Sequence, residues 1–253
     1  MSSHSLEHRT ALVTGAARRI GAGIARALHA AGAAVVVHYR QSRSDAESLC
    51  AELNAKRPAS AFPAELDLLD HDRLPGLVDL ALNRTGRLDV LVNNASSFYP
   101  TPVGDIDEAH WTDLMGTNLK APLFLSQAAA PALVKTGGVI INLLDTYASQ
   151  PLREYPVYCA AKAGLAMLTR SLARELGPSV RVNGVAPGSI LWPEAGLDDH
   201  LKAQIIEATA LKRQGTVSEI ADCIVWLARD ASYVTGEILT VDGGRSLRQF
   251  RPR

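Results

Sequence analysis

Short runs rich in valine, isoleucine and leucine recur along this chain, each followed by a longer Ala- and Leu-rich amphipathic stretch. A chain that alternates in this way builds βαβ units, and strands apolar on both sides belong in a parallel sheet covered by helices on both faces. The expected strands are ALVTG, AAVVVHY, ASAFPAEL, DVLVNNA, GGVIINLLD, RVNGVAP and EILTVDGG. Helices are expected over residues 21–31, 44–56, 72–85, 108–134, 155–176 and 217–227. Joined by right-handed crossovers, these elements predict a doubly wound α/β fold on a seven-stranded parallel sheet. Such a sheet receives ligands beyond the carboxyl ends of its strands. At 253 residues, 47% hydrophobic, with no linker, low-complexity tract or repeat, the chain reads as one domain over residues 1–253.

Charge and cysteine usage remove several classes of function. The 26 basic residues cancel the 26 acidic ones, which argues against a general nucleic-acid or membrane surface. No apolar run approaches the roughly 20 residues that span a bilayer. Residues 1–8 read as a loose lead-in without an apolar core or a cleavage-like site, so a cytoplasmic protein is expected. Cys50, Cys159 and Cys223 have neither disulfide nor metal-ligand spacing, and no metal is expected.

The first motif is TGAARRIG, residues 14–21, placed directly after strand one and opening the first helix. Gly15 and Gly21 permit a tight turn and close approach of backbone to phosphate, and a helix N-terminus offers free N–H groups to a pyrophosphate. The middle position, usually glycine, is Arg19, which brings a planar cationic fork to the place where phosphates and a substrate would meet. At the end of strand two a chain that binds NAD would carry an acid for the ribose 2′-hydroxyl; this one has His38, Tyr39, Arg40, Gln41 and Ser42. A basic residue with hydroxyls there fits a 2′-phosphate, so NADPH is the expected cofactor. Asp67, ending strand three in ELDLLD, is placed to accept from the adenine amino group or to cap a helix. In NNASSFYPTP, residues 93–102, Asn94 and Ala95 would run against the cofactor ribose, while Ser96 and Phe98 face the nicotinamide and the substrate space. A flat ring opposite a flat nicotinamide makes a slot for a flat substrate.

The stretch from Asp145 to Lys162 carries the chemistry. Tyr158 and Lys162 are four residues apart on a helix, hence about one turn apart on one face. The ammonium favours the phenolate, whereas a carboxylate at Asp145, reaching in from its strand end, keeps the phenol protonated and suited to donate a proton. Asn118, a polar residue in the middle of an apolar-faced helix, needs a buried partner, which a helix kink or a water beside Lys162 would provide.

Taken together, TGxxxRxG, Asn93-Asn94-Ala95, Asn118, Tyr158 with Lys162, Pro187-Gly188 and the late VDGG resemble the short-chain dehydrogenase/reductase superfamily over essentially the whole chain. Arg19, Asp145 where most members have Ser, and NNASSFYPTP resemble the pteridine reductases within it. The resemblance implies a single Rossmann-like domain and NADPH-dependent reduction of pterins such as biopterin, dihydrobiopterin or dihydrofolate. It implies a pterin sandwiched between Phe98 and the nicotinamide, with Arg19 and Ser96 on its polar edge. Lys162 would hold the nicotinamide ribose, and Asn118 a water-linked proton path to that lysine. Ile20 and Leu68 would join the cofactor set, and Gly188, Ser189 and Ile190, after Pro187, would wall the nicotinamide. Residues 189–214 would form a substrate lid, with Trp192 touching the pterin side chain. The tail, residues 245–253, would reach a neighbour's active site in a homotetramer. Two other readings stand beside this one: a reductase of carbonyl substrates such as 3-oxoacyl-(acyl-carrier-protein), which lacks its expected Ser at 145, and a silent NADP-binding scaffold, which has no need of Asn118, Tyr158 and Lys162 together.

Overall fold

A computed structural model describes residues 5–192 and 196–247. The strands are β1 (Thr10–Val13), β2 (Ala34–Tyr39), β3 (Ala61–Glu65), β4 (Val90–Asn93), β5 (Val139–Leu143), β6 (Arg181–Pro187) and β7 (Ile238–Val241). They form one seven-stranded sheet in the order β3-β2-β1-β4-β5-β6-β7, with every pairing parallel. The expected α/β architecture is therefore present.

Alternation along the strands builds two cores. Val13, Val35, Val37, Val92 and Ile141 turn to one face, where α1 (Arg19–Ala30), α2 (Arg43–Lys56) and α8 (Val217–Arg229) cover them. Leu12, Val36, Leu91, Ile140 and Val182 turn to the other, against α3 (Pro75–Thr85), α5 (Ala121–Thr136) and α6 (Pro156–Leu176). A parallel strand buried on both sides has no polar face to show, which is why these segments read as unbroken apolar runs.

β1 lies between β2 and β4, so the chain winds outward in opposite directions from this point and opens a crevice at the strand ends. Polar groups close the crevice floor. Thr14 Oγ1 accepts the N–H groups of Asn94 (2.9 Å) and Ala95 (3.0 Å), and Asn94 Nδ2 donates to the carbonyls of Thr14 (2.8 Å) and Gly15 (3.0 Å).

Three local expectations are corrected. Residues 5–8 are not loose: Leu6 is fully buried and its N–H donates to the Ala31 carbonyl at 2.8 Å, because an apolar side chain at the sheet margin gains more from the core than from solvent. The helix expected over 108–134 is α4 (Glu108–Met115), a π-helical turn (Gly116–Lys120) and α5, because the wider turn accommodates one extra residue. Residues 189–214 contain a helix, α7 (Asp199–Ala208), that was not expected; Asp198 caps it by accepting from His200 and Leu201 N–H. Residues 1–4, the part of the lid at 193–195 and the tail at 248–253 lie outside the described residues.

Candidate active site

A cavity of about 440 Å³ opens at the crevice and is lined by the turn after β1, the end of β2 and the start of the loop after β4. Gly15 has φ +60°, and a Cβ there would lie 2.9 Å from Ala95 Cα. A Cβ on Gly21 would run into the Gly15 carbonyl and come within 2.6 Å of Asn94 Nδ2. The turn is thus pressed against the next strand's loop, and together with the start of α1 it lines the cavity. Arg19 takes φ +54°, a left-handed conformation at the position where glycine was anticipated, and its Nη2 donates to the Trp192 carbonyl at 3.0 Å.

The far end of this cavity is formed by residues after β2 and β3. Arg40, Gln41, Ser42, Asp67 and Leu68 line the same cavity, joined by Arg18 from the turn. Tyr39 lines this cavity as well, as Asp67 does. Tyr39 is buried, and its hydroxyl is already committed, donating to Glu65 at 3.2 Å while Arg43 pairs with the same carboxylate. Asp67 lies two residues beyond the end of β3, and its Oδ1 accepts from Leu69 N–H at 3.0 Å in a short Asx turn.

His38, to which the sequence reading gave no separate role, holds the turn from behind. Its Nδ1 accepts the Gly15 N–H at 3.1 Å, so its Nε2 must be the protonated nitrogen, donating to the Leu66 carbonyl at 3.1 Å. Burial pushes its pKa down to about 4, so the ring is neutral and can accept at neutral pH.

A second cavity of about 260 Å³ continues from the first, bounded by Arg19, Ser96, Asp145, Tyr158, Lys162 and the segment Pro187–Leu191. The pairing anticipated from the sequence is present: Tyr158 Oη donates to Asp145 Oδ2 at 2.9 Å. Asp145 Oδ1 accepts from Tyr147 N–H at 2.9 Å, which fixes the carboxylate as the cap of a short helical turn. Tyr158 is almost fully buried, and burial followed by the Asp145 carboxylate drives its pKa well above the usual phenol range. The pull toward phenolate expected of Lys162 does not win. Its Nζ sits 5.7 Å from the Tyr158 ring centroid and donates to the Leu143 carbonyl at 3.0 Å, and burial lowers its own pKa to about 8.

The π-helical turn supplies the partner that Asn118 needs. Its Nδ2 takes the Leu114 carbonyl (2.9 Å), freed by the widened turn, and the Ser97 carbonyl (2.9 Å). Its Oδ1 accepts from Ser96 Oγ at 2.6 Å, so the fully buried amide orients Ser96 at the cavity wall. No direct bond joins Asn118 to Lys162 among those of the described residues.

Phe98 and Trp192 are not among the residues that line this cavity, but each touches one that does, Tyr158 and Arg19 respectively. The Phe98 ring stacks on Tyr155 (centroids 4.6 Å, 19°) and meets Tyr158 edge-on (4.8 Å, 76°), because aromatic neighbours on α6 offer more contact than open solvent. Trp192 contributes its carbonyl, to Arg19, while Leu191 faces the cavity. Gly188 and Ile190 stand where expected: a Cβ at 188 would meet Asp242 Cβ at 2.6 Å, so glycine lets β6 and β7 converge beneath the site. Tyr147 also lines this cavity and belongs to no motif whose spacing points to chemistry, while Arg245, expected to open a tail that reaches a neighbour, lines this chain's own cavity.

Comparison with known proteins agrees with this layout. The family model described as enoyl-(acyl carrier protein) reductase matches residues 15–246. Pteridine reductase 1 of Leishmania tarentolae is 39% identical, over 94% of this chain and 96% of its own length. A 3-oxoacyl-(acyl-carrier-protein) reductase of Staphylococcus aureus is 37% identical, over 93% of this chain and 97% of its own. A crystal structure from Sinorhizobium meliloti described as a short-chain alcohol dehydrogenase superposes with a TM-score of 0.91 at 34% identity, covering 96% of this chain and 98% of that one. With a nucleotide cavity at the strand switch and a buried tyrosine and lysine beyond it, the chain belongs to the short-chain dehydrogenase/reductase family of nicotinamide-dependent oxidoreductases.

Proposed function

We propose that the chain is an NADPH-dependent pteridine reductase, converting dihydropterins such as dihydrobiopterin and dihydrofolate to the tetrahydro level. The observation that carries this reading is the 2.9 Å bond from Tyr158 to a carboxylate at 145, where carbonyl reductases of the family have a serine. The 39% identity to a pteridine reductase supports it.

The residues fit the cofactor. The compressed glycine turn would hold a pyrophosphate, Arg40, Ser42 and Arg18 would bind a 2′-phosphate, and the stretch His38–Ser42 at the end of β2 holds no acid. Bound in its reduced form, the nicotinamide supplies a hydride to a ring carbon of the pterin C=N bond. The chain supplies the proton for the ring nitrogen. Tyr158 stays protonated at neutral pH, and rotation of its hydroxyl carries the proton from Asp145 Oδ2 toward the cavity. After transfer the phenolate regains a proton taken up from solvent water, and Asp145 Oδ2, already in contact with the phenol oxygen, is placed to pass it on. Lys162, buried and largely charged below about pH 8, holds the ribose side of the site, and Asn118 and Ser96 brace the opposite wall. A cytoplasmic homotetramer belongs to the same proposal; among the described residues no helix is long and apolar enough to cross a membrane.

A 3-oxoacyl-(acyl-carrier-protein) reductase is the second reading, favoured by the 37% identity to such an enzyme. The test mixes the protein with NADPH and dihydrobiopterin, dihydrofolate or an acetoacetyl thioester and follows nicotinamide absorbance. Oxidation with both pterins, faster with NADPH than with NADH, is expected; oxidation with the thioester alone assigns the second reading. In the same assay, Gly21→Ala is expected to weaken NADPH at least about tenfold, about 1.4 kcal/mol, because the added methyl displaces the Gly15 carbonyl or Asn94. An unchanged KM for NADPH would place the pyrophosphate away from this turn.

A further inference from the structure

The geometry points to Arg245 as a specificity-determining residue: its guanidinium receives an anionic substituent of the substrate, a carboxylate carried on the side chain of the pterin. The inference rests on the pterin reading above and deepens it.

The loop after β7 is built to deliver this side chain. The Asp242 carboxylate accepts the N–H groups of Gly244 (2.8 Å) and Ser246 (2.6 Å), and Gly243 and Gly244 take φ of +62° and +78°. A Cβ on either glycine would come within 2.8 Å of the segment that follows α7, at Thr209 Cγ2 or Ala210 Cβ, so the VDGG sequence is what lets the loop close here. Gln150 Nε2 ties the loop from the other side, donating to the Ser246 carbonyl at 2.7 Å. Between these anchors Arg245 turns into the wall of the catalytic cavity, where its Nη2 donates to the Tyr147 hydroxyl at 3.3 Å. Tyr147 is in turn bonded through its N–H to Asp145, the carboxylate that meets Tyr158. The guanidinium is therefore fixed beside the reacting end of the cavity and makes no ion pair among the described residues.

A guanidinium has five donors arranged as a planar fork, of which this long hydrogen bond to Tyr147 uses one. The other side of the Arg245 side chain borders a hollow beside α7 lined by His200, Gln204 and Leu247. Glu207, the carboxylate on that wall, is neutralised by Lys212 Nζ at 2.8 Å, so it does not compete for the guanidinium. A substituent that leaves the catalytic cavity on this side passes Arg245, and a carboxylate on it pairs in the bidentate fashion that arginine favours.

Two substrates that share the reacting ring separate this role from others. Dihydrofolate carries a glutamate tail and dihydrobiopterin an uncharged one. In Arg245→Gln the ratio of the dihydrofolate KM to the dihydrobiopterin KM is expected to rise about tenfold, with Arg245→Lys recovering part of it. Raising the salt concentration is expected to raise the same ratio in the wild type and to leave it flat in Arg245→Gln. Tyr147→Phe removes the bond to Tyr147 and keeps the guanidinium, so it is expected to leave the ratio near the wild-type value. A ratio unmoved by Arg245→Gln, or moved equally by Tyr147→Phe, overturns the inference and makes Arg245 a brace for Tyr147. Failure of the wild type to oxidise NADPH with either pterin overturns the pterin reading itself, and this inference with it.

Discussion

Phenylalanine in place of Tyr158 is expected to lower kcat for dihydrobiopterin by roughly 10²–10⁴-fold, the usual contribution of a positioned general acid. The substitution removes one oxygen and leaves the ring that packs against Phe98 edge-on, so the aromatic cluster and the NADPH cavity stay formed. Steady-state kinetics read the first effect, and quenching of protein fluorescence by NADPH reads the second. Retained turnover would assign the proton to another group.

Serine in place of Asp145 is expected to cost pterin turnover about 10²-fold while NADPH binding stays nearly unchanged, since the proton relay and not the nucleotide cavity is lost. The carboxylate is the second-largest cause of the raised Tyr158 pKa, after burial. Its removal lowers that pKa, so the residual activity of the variant is expected to fall off at lower pH than the wild type on the alkaline side. The pH dependence of kcat/KM measures this directly. Full pterin turnover in the serine variant would show that the carboxylate relays nothing.

Much of this architecture is legible in the sequence because its cause is local. Apolar runs such as VVVHY and VIINLL are buried on both faces, and a parallel sheet is the arrangement that buries them. Tyr158, Lys162 and Asp145 are legible because a helix and a strand end fix where their side chains emerge. What was misread depends on distant partners. The π-helical turn leaves no break in the apolar pattern of residues 108–134, and only the polar Asn118 marks it. The stacking of Phe98 on Tyr155, 57 positions later, is likewise invisible in its own loop. That Asp145 keeps Tyr158 protonated is legible in the sequence, but the larger share owed to depth of burial is not. His38 and Arg245 belong to no spacing rule at all, and their roles appear only once Gly15 and Tyr147 are beside them.

The left-handed backbone of Arg19 sets two demands against each other. A side chain with a Cβ in that conformation costs about 1–2 kcal/mol, which glycine would recover. Arg19→Gly would therefore trade a higher melting point for the loss of the guanidinium that meets the Trp192 carbonyl at the edge of the second cavity.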